Sequence, residues 1–498
     1  MMPFKFTSTR GKDSSFSAPE AIFQGLAPDG GLFVPTAFPQ LGLRLEELST
    51  KSYVELTTHL LKQGLPGYAP ETIDAIVRTG YAAEKFDDPL FAPVKSFEDR
   101  HFIELFHGPT LAFKDMALSL LPHLLVAARN QLGISKEVVI LTATSGDTGS
   151  AALTGFADLP GTRILVFYPD QGISLVQKKQ MVCQPGKNLF VCGVNGNFDH
   201  AQNLVKSLFS DETIRLELKK NNQSFSTANS MNVGRLIPQM VYYFHAYGQL
   251  ISTKKIRCGE PVNIVVPSGN FGNILAAWYA KKAGLPVGKF IIASNRNHAL
   301  PDFFNTGTYT ADRTFHRTTS PSMDILISSN LERLLYHLSD NDSALIAQLM
   351  QSLKQQKHYS VPDSLQTRLQ SEFFAAYADD ESCRDEIKSY YQKNNYLLDP
   401  HTAVASRVLT QYQKETCDYT PALITATASP FKFPATVLPA LFDDISSGSD
   451  FDRIRQLADK TNTSVRSTLL DLETAEPLHT DHCSPKTALD YVRTTLSN

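Results

Sequence analysis

The sequence predicts an α/β protein in which parallel strands are joined by helical crossovers. Between residues 138 and 194, short apolar runs rich in β-branched residues alternate with loops and helical patterns, and the same rhythm resumes after residue 260. A repeated order of strand, loop and helix is typical of parallel sheets covered by helices.

The individual elements follow in chain order. Apolar positions recur at helical spacing from Met116 to Leu132, where Gly133 ends the run, so one helix is predicted there. Strands are predicted at 138–144, 163–169, 189–194, 262–267, 289–295 and 422–428. Residues 330–395 are polar and carry no strand signal, so they are interpreted as a helical insertion. The polar tail beyond about residue 440 is interpreted as a helical appendage.

Length and composition narrow the class of protein. At 498 residues the chain is long enough for two or three domains, because single cores stop growing at roughly 250 to 300 residues. The net charge of −3 gives no electrostatic reason to expect a nucleic-acid or membrane partner. The N-terminus lacks a signal or transit pattern and no apolar run reaches membrane-spanning length, so a cytoplasmic protein is expected. The six cysteines are scattered without CxxC pairs, which favours reduced thiols.

A single lysine, Lys114, follows the apolar residues 111–113 and precedes the predicted helix. Burial disfavours the ammonium form, lowers the pKa and leaves a nucleophilic amine suited to a Schiff base with a carbonyl compound. An ordinary lysine in the first turn of an amphipathic helix has the same local sequence. Other segments are therefore needed to assign its role.

Two loops follow predicted strands and open predicted helices. In SGNFGN (268–273), glycines let successive backbone N–H groups and the helix N-terminus hold an anion such as phosphate. In TSGDTG (144–149), backbone amides and hydroxyl groups suit a carboxylate or the polar edge of a cofactor. Each loop is also compatible with a turn that binds nothing, and capping alone explains Ser145 and Asp147. Both loops lie at the carboxyl ends of parallel strands, where a ligand is expected.

The segment TANSMNVGRL (227–236) lies between these loops in the sequence and contains a candidate second anion site, with an arginine fork suited to phosphate. The residues of this candidate site are Asn229, Ser230, Asn232 and Arg235. A polar turn before a helix is the alternative. No metal site is predicted, because HTDHC (479–483) is one short run in a polar tail. His107 and His401 are interpreted as hydrogen-bonded structural histidines.

Taken together, the segments resemble the long form of the threonine synthase family, found in bacteria and fungi. The resemblance is carried by STRG and DGGLFVP near the N-terminus, then by HGPTLAFKD, TATSGDTG, TANSMNVGR and VPSGNFGN, and it runs from about residue 5 to about residue 440. It implies a fold-type II pyridoxal-phosphate enzyme, similar to the β-subunit of tryptophan synthase, with the cofactor between two parallel-sheet domains. We expect an N-terminal domain (1–100), a large cofactor-binding domain (101–135 and 236–440, with the insertion 330–395), a small α/β domain (136–235) and a C-terminal helical appendage (441–498).

The resemblance also implies roles for residues at the cofactor. Lys114 would be the Schiff-base lysine of pyridoxal 5'-phosphate, and Thr427 would sit at the pyridine nitrogen. Asp147 stands at the position beside the ring hydroxyl, where wider fold relatives often carry an asparagine. The residues that would cradle the cofactor phosphate are Gly269, Asn270, Phe271, Gly272 and Asn273.

The substrate implied by the resemblance is O-phospho-L-homoserine, which would lose its γ-phosphate and gain water at Cβ to give L-threonine and phosphate. Its carboxylate would contact Thr144, Ser145 and Thr148, and its phosphate the second anion site. No further cofactor and no activator are expected, and the chain is expected to act as a monomer or homodimer. Two alternatives stay open: a phospho-lyase of the same fold that releases 2-oxobutyrate, and a catalytically inactive homologue that serves as a binding protein.

Overall fold

The computed structural model describes residues 4–11, 15–38, 40, 42–170, 173–196, 198–484 and 487–497. Its strands are β1 (Phe6–Ser8), β2 (Phe33–Pro35), β3 (Val94–Phe97), β4 (Arg100–Glu104), β5 (Glu137–Ala143), β6 (Thr162–Pro169), β7 (Leu189–Val194), β8 (Gln223–Thr227), β9 (Val262–Pro267), β10 (Val287–Ser294), β11 (Thr308–Thr310), β12 (His358–Ser360), β13 (Phe373–Tyr377), β14 (Ala422–Ala426) and β15 (Asp481–Cys483). Its α-helices are α1 (Ala18–Gln24), α2 (Tyr53–Gly64), α3 (Pro70–Gly80), α4 (Asp115–Leu118), α5 (Leu121–Gln131), α6 (Asp147–Phe156), α7 (Leu175–Val182), α8 (Phe198–Ser210), α9 (Glu212–Lys220), α10 (Val233–Leu236), α11 (Met240–Ser252), α12 (Gly272–Lys282), α13 (Ala299–Thr306), α14 (Leu331–Leu338), α15 (Ser343–Gln356), α16 (Asp363–Glu372), α17 (Asp380–Asn394), α18 (Pro400–Thr416), α19 (Pro434–Leu441), α20 (Asp450–Thr461), α21 (Ser467–Leu470) and α22 (Ala488–Ser497).

The larger sheet has the strand order β13-β10-β9-β14-β4-β3, and its strands run parallel except for β3, which is antiparallel to β4. Strand β9 is buried at every position because helices cover both faces of the sheet. Ile264 and Val266 belong to one apolar cluster with residues of α12, and Val265 belongs to another with residues of α18. This alternation is expected where successive side chains point to opposite faces.

The smaller sheet has the order β15-β7-β6-β5-β8 and is parallel throughout. Two short antiparallel pairs, β1 with β2 and β11 with β12, lie outside the two main sheets. The six strands predicted from the sequence correspond to β5, β6, β7, β9, β10 and β14, and their ends agree within two residues. The predicted α/β fold class is therefore confirmed.

Two segments that we predicted to be helical also contribute strands. Residues 330–395 include β12 and β13, and β13 pairs in parallel with β10 at an edge of the larger sheet. The tail includes β15, which carries part of the HTDHC run and pairs with β7 at an edge of the smaller sheet. Both edge strands are short and partly exposed, so their pairing depends on the neighbouring strand more than on their own apolar pattern.

The prediction of one helix from Met116 to Leu132 is wrong, because the structure has two helices, α4 and α5, interrupted between residues 118 and 121. Pro122 lacks the N–H that would bond back to the carbonyl of Leu118, and its ring would clash with that carbonyl in a continuous helix. Gly133 adopts a φ of 65°, which ends the helical run as predicted.

The apolar core extends through much of the molecule. One cluster of buried side chains runs from Phe6 near the N-terminus, through residues of both main sheets, to Phe373 in β13. The domain boundaries therefore remain a prediction. In the described part of the chain, no helix combines the length and apolar character needed to cross a bilayer.

Candidate active site

A cavity of about 340 Å³ lies at the carboxyl ends of β5, β9 and β14. Open parallel sheets bind ligands at this edge, where loops and helix N-termini meet. The predicted site residues that line the cavity are Lys114, Thr144, Ser145, Thr148, Asn229, Ser230, Arg235, Gly269, Asn270, Phe271, Gly272, Asn273 and Thr427. The structure thus brings the candidate loops of both sheets together around one space.

Lys114 is held at the cavity by backbone pairing between two loops. The N–H of Phe113 donates to the carbonyl of Thr427 at 2.8 Å, and the N–H of Ser429 donates to the carbonyl of Leu111 at 3.1 Å. The side chain of Lys114 is 13% exposed, and its Nζ lies 3.2 Å from Oδ2 of Asp147. Burial lowers the pKa of Lys114; the Asp147 carboxylate opposes this effect, and two nearby cations add to it. The lysine is therefore buried in the setting that the sequence predicts.

The SGNFGN loop turns from β9 into α12 through Phe271, which adopts a left-handed φ of 63°. The carbonyls of this loop point into the protein, because Ser328 Oγ donates to the carbonyl of Gly269 at 2.7 Å and Asn330 Nδ2 donates to that of Asn270 at 2.9 Å. The first-turn N–H groups of α12 have no carbonyl partner within their helix. They are available to an anion in the cavity that their loop lines.

Asp147 lies behind the cavity wall rather than on its surface. Its Oδ1 accepts from Lys432 Nζ at 2.8 Å and from Gln177 Nε2 at 2.9 Å, while its Oδ2 accepts from Lys114 at 3.2 Å and from Ser322 Oγ at 3.1 Å. Burial alone would raise the pKa of Asp147, but the two lysines hold it well below its ordinary value. Asp147 is therefore the counterion of Lys114, and its place beside the cofactor ring stays a prediction.

Sequence reasoning missed Lys432, Ser322 and Gln177. Lys432 lies in the SPFKFP loop directly after β14, so the rule that ligands bind at the carboxyl ends of strands could have identified it. Ser322 and Gln177 lie far from any recognisable motif, and no local signal marks them.

Arg235 is a buried cation that faces the cavity. It is 3% exposed, one of its terminal nitrogens donates to the carbonyl of Ala228 at 3.0 Å, and its Nε has no hydrogen-bond partner in the described part of the chain. Burial lowers the pKa of Arg235 to about 10. Among the described residues, no carboxylate forms an ion pair with it. A guanidinium group in this setting is suited to an anionic ligand.

Asn232 does not belong with the other members of the predicted second anion site. It is fully buried, its Oδ1 accepts from the N–H of Gly234, and its Nδ2 donates to the carbonyls of Ile22 and Thr227. The side chain therefore caps α10 and anchors the loop instead of facing a ligand. Thr144 is likewise partly engaged, since its Oγ1 accepts from the N–H groups of Gly146 and Gly149, each at 2.9 Å.

A second buried arginine, Arg333, connects the site to the N-terminal region. It donates to the carbonyl of Phe33 at 2.9 Å, to the carbonyl of Met231 at 2.6 Å, and to the Oδ1 of Asn330. Asn330 Nδ2 in turn donates a hydrogen bond to the carbonyl of Asn270 in the SGNFGN loop. No local sequence pattern indicates this network.

The two histidines are engaged as structural residues. His401 lines the cavity, but its Nδ1 lies 2.7 Å from a carboxylate oxygen of Asp399 and its Nε2 accepts from the N–H of Ser322. His107 lies between Asp87 and Glu104, at 2.6 and 3.1 Å. Burial opposes the charged ring, but these hydrogen bonds outweigh it and raise the pKa of His107 to about 9.

Comparisons with known proteins give the site its context. Residues 5–81 match the family model described as threonine synthase N terminus, and residues 103–424 match that of pyridoxal-phosphate dependent enzymes. Threonine synthase of Pseudomonas aeruginosa is 36% identical over 441 residues, which cover 87% of this chain and 89% of that one. The chain belongs to the threonine synthase family.

Other relatives agree with this family assignment. The crystal structure of threonine synthase from Brucella melitensis with bound pyridoxal phosphate has a TM-score of 0.84 at 34% identity, and the match covers 99% of this chain and 100% of that chain. Human threonine synthase-like 1 is 41% identical over 434 residues, which cover 85% of this chain. The match extends over 58% of that relative, so the chain spans little more than half of its length.

Members of this family are fold-type II enzymes, and the cofactor of this chain is pyridoxal 5'-phosphate. The cavity is suited to this group. It has a buried lysine for the aldehyde and free first-turn amides of α12 for the phosphate. A Cβ added to Gly272 would meet its nearest described atom, Nδ2 of Asn330, at 3.6 Å, which is an ordinary van der Waals distance, so the surrounding residues do not crowd this glycine.

Proposed function

We propose that the protein is a threonine synthase that converts O-phospho-L-homoserine and water into L-threonine and phosphate. The observation that carries this proposal is the presence of two separate anion-suited places in one cavity that also contains the buried lysine. One is formed by the first-turn amides of α12, and the other is centred on the guanidinium group of Arg235, which forms no ion pair with a described carboxylate. A cofactor phosphate and a substrate phosphate would account for both.

The residues that would hold the cofactor all line the cavity. Lys114 would bind it covalently, residues 269–273 would bind its phosphate, and the hydroxyl of Thr427 would meet its ring nitrogen. When bound, pyridoxal phosphate supplies an electron-withdrawing ring that stabilises negative charge on carbon next to the substrate amino group.

The chain's own groups would then bind the substrate and move protons. Asn229, Ser230 and Arg235 would hold the substrate phosphate, and Ser145 with Thr148 would hold its carboxylate near the N-terminus of α6. Lys114, with its pKa lowered by burial, would accept the proton from Cα and then transfer protons at Cβ. Asn232 and Asp147 have no direct contact with substrate in this proposal.

Product analysis tests the proposal. The purified protein, reconstituted with pyridoxal phosphate, is incubated with O-phospho-L-homoserine, and threonine, phosphate and 2-oxobutyrate are quantified in the same sample. We expect threonine and phosphate in equal amounts, and loss of both in the Lys114→Ala variant. Release of mainly 2-oxobutyrate would identify a phospho-lyase. Absence of turnover, together with no visible absorbance from a lysine-bound cofactor, would identify a binding protein.

The matched control is Lys354→Met, which replaces an exposed lysine in α15 outside the cavity. It should form threonine at the wild-type rate. Unphosphorylated homoserine serves as the control substrate, and its conversion at a comparable rate would contradict the proposed role of Arg235.

A further inference from the structure

Lys432 is a second lysine at the site, and no part of the proposed reaction uses it. Its side chain is completely buried, in the turn that follows β14. Its Nζ donates to Oδ1 of Asp147 at 2.8 Å and to the carbonyl of Thr110 at 2.8 Å. A buried ammonium group is costly unless it is paired, so this geometry requires a specific partner.

The Asp147 carboxylate is shared between the two lysines by its two oxygens. Oδ1 accepts from Lys432 and Gln177, whereas Oδ2 accepts from Lys114 and Ser322. When Lys114 gives up its positive charge, Oδ2 loses a cationic donor but Oδ1 keeps its own. Without Lys432, the same event would leave a buried carboxylate with no cation, and protonation or displacement of Asp147 would follow.

The same lysine connects three segments that meet at the site. Lys432 comes from the loop after the larger sheet, Thr110 lies just before Lys114, and Asp147 begins helix α6 on the smaller sheet. Thr110 in turn donates through both its N–H and its hydroxyl to Asp115, at the start of α4. The ammonium group thus fixes the position of Asp147 relative to the loop that carries Lys114.

We propose that Lys432 is a positioning residue for the cofactor lysine, because its ammonium group keeps Asp147 ionised and in place whether or not Lys114 carries a charge. This inference rests on the proposed role of Lys114 as the cofactor lysine and is independent of which phosphorylated substrate is used. Lys432 itself has no contact with the cavity in the structure.

The charged groups that surround Lys114 fix the direction of each effect. Lys114 faces the Asp147 carboxylate and is repelled by Arg235 and Lys432. Asp115 also lies in the field of Lys432, while His401 is engaged with Asp399 and the backbone of Ser322. Removal of Lys432 deletes a like charge near Lys114 and leaves Lys114 as the lysine that pairs with Asp147. Both changes favour the ammonium form, so the pKa of Lys114 should rise. Removal of the Asp147 charge should lower it.

The cofactor-free protein allows a direct test that needs no turnover. The rate at which Lys114 reacts with acetic anhydride is followed against pH by mass spectrometry of its peptide, which gives an apparent pKa for this amine. We expect Lys432→Met to raise that pKa by roughly one pH unit or more and Asp147→Asn to lower it by a similar amount. The apparent pKa of Lys114 in the double variant, Lys432→Met with Asp147→Asn, should lie between the values of the two single variants. Lys354→Met should reproduce the wild-type profile.

Folding of the variants gives a second readout. Lys432→Met leaves Asp147 buried with one cation fewer, so its urea midpoint should fall, and the added Asp147→Asn change should restore part of the loss because no unpaired charge remains. If Lys432→Met does not fold at all, recovery of folding in the double variant, Lys432→Met with Asp147→Asn, still tests the proposal. An unchanged Lys114 profile in a folded Lys432→Met protein, or a double variant less stable than Lys432→Met alone, overturns the proposal. The absence of a cofactor–Lys114 bond in the wild-type protein would instead overturn the proposed function.

Discussion

Replacement of Arg235 by methionine should make the cofactor-free protein more stable while it destroys the substrate phosphate site. Arg235 is 3% exposed, has no carboxylate partner among the described residues, and leaves its Nε without a hydrogen bond. A buried cation of this kind is unfavourable until an anion binds, so its removal relieves the fold of an uncompensated charge.

The expected magnitude comes from two opposing effects. The difference between the ordinary arginine pKa of 12.5 and the value of about 10 in the fold corresponds to about 3 kcal/mol of unfavourable burial. Loss of the hydrogen bond to the carbonyl of Ala228 lowers the free energy of unfolding by about 1.5–3 kcal/mol. The net effect is a gain of about 0–1.5 kcal/mol in the free energy of unfolding, the difference between these two figures.

Urea unfolding of the cofactor-free protein in phosphate-free buffer measures this gain as a higher midpoint for Arg235→Met. Added inorganic phosphate should then stabilise the wild-type protein more than the variant, because a ligand that binds only the folded state shifts the equilibrium by mass action. The control Arg384→Met removes an exposed arginine of α17 and should leave the midpoint and its phosphate dependence unchanged. A variant that is less stable than the wild type and equally protected by phosphate would refute the reasoning.

Three further predictions concern the surroundings of the site. Gly269→Ala should destabilise the protein by about 1–3 kcal/mol and weaken cofactor binding, because the new Cβ would lie 2.9 Å from the carbonyl oxygen of Ser322. Gly272→Ala should unfold at the wild-type urea midpoint, because its new Cβ would meet the nearest atom at an ordinary contact distance of 3.6 Å. His107→Gln should destabilise the protein most below about pH 6.5, with the difference fading as the pH rises through about 9, since the folded-state pKa of His107 is raised above its unfolded value; urea midpoints from pH 6 to 10 check this, and a pH-independent difference would contradict it. Arg333→Met should lower the urea midpoint and weaken cofactor affinity together, because three acceptors lose their charged donor. Unchanged cofactor affinity in the folded variant would show that this network does not affect the SGNFGN loop.

The sequence predicted best where one physical signal dominates. The run 262–267 is apolar except for Asn263, and it forms β9 with the predicted bounds. Lys114 and the two loops are recognisable in the sequence because their residue types are constrained by chemistry. Lys114, Thr144, Ser145, Thr148 and residues 268–273 all line one cavity. The prediction of one helix beginning at Met116 is wrong because it follows the apolar spacing and neglects Pro122. A proline at this position interrupts a helix, and it can be seen in the sequence.

The remaining features depend on tertiary contacts that no local pattern encodes. Strand β13 forms because β10 offers an edge to pair with. Residue type and the family resemblance both assign Asn232 to the ligand-binding residues, yet its amide is used within the protein. Lys432 is remote from Asp147 in sequence, so their pairing becomes visible only in the folded chain.

The central claim is that Lys114 is the residue that binds the cofactor. The protein is reconstituted with pyridoxal phosphate, the bond between lysine and cofactor is fixed by borohydride reduction, and the digested peptides are analysed by mass spectrometry. We expect the added mass on Lys114, with none on the second lysine at the site, Lys432. Added mass on Lys432, or a Lys114→Ala protein labelled as well as the wild type, would contradict it.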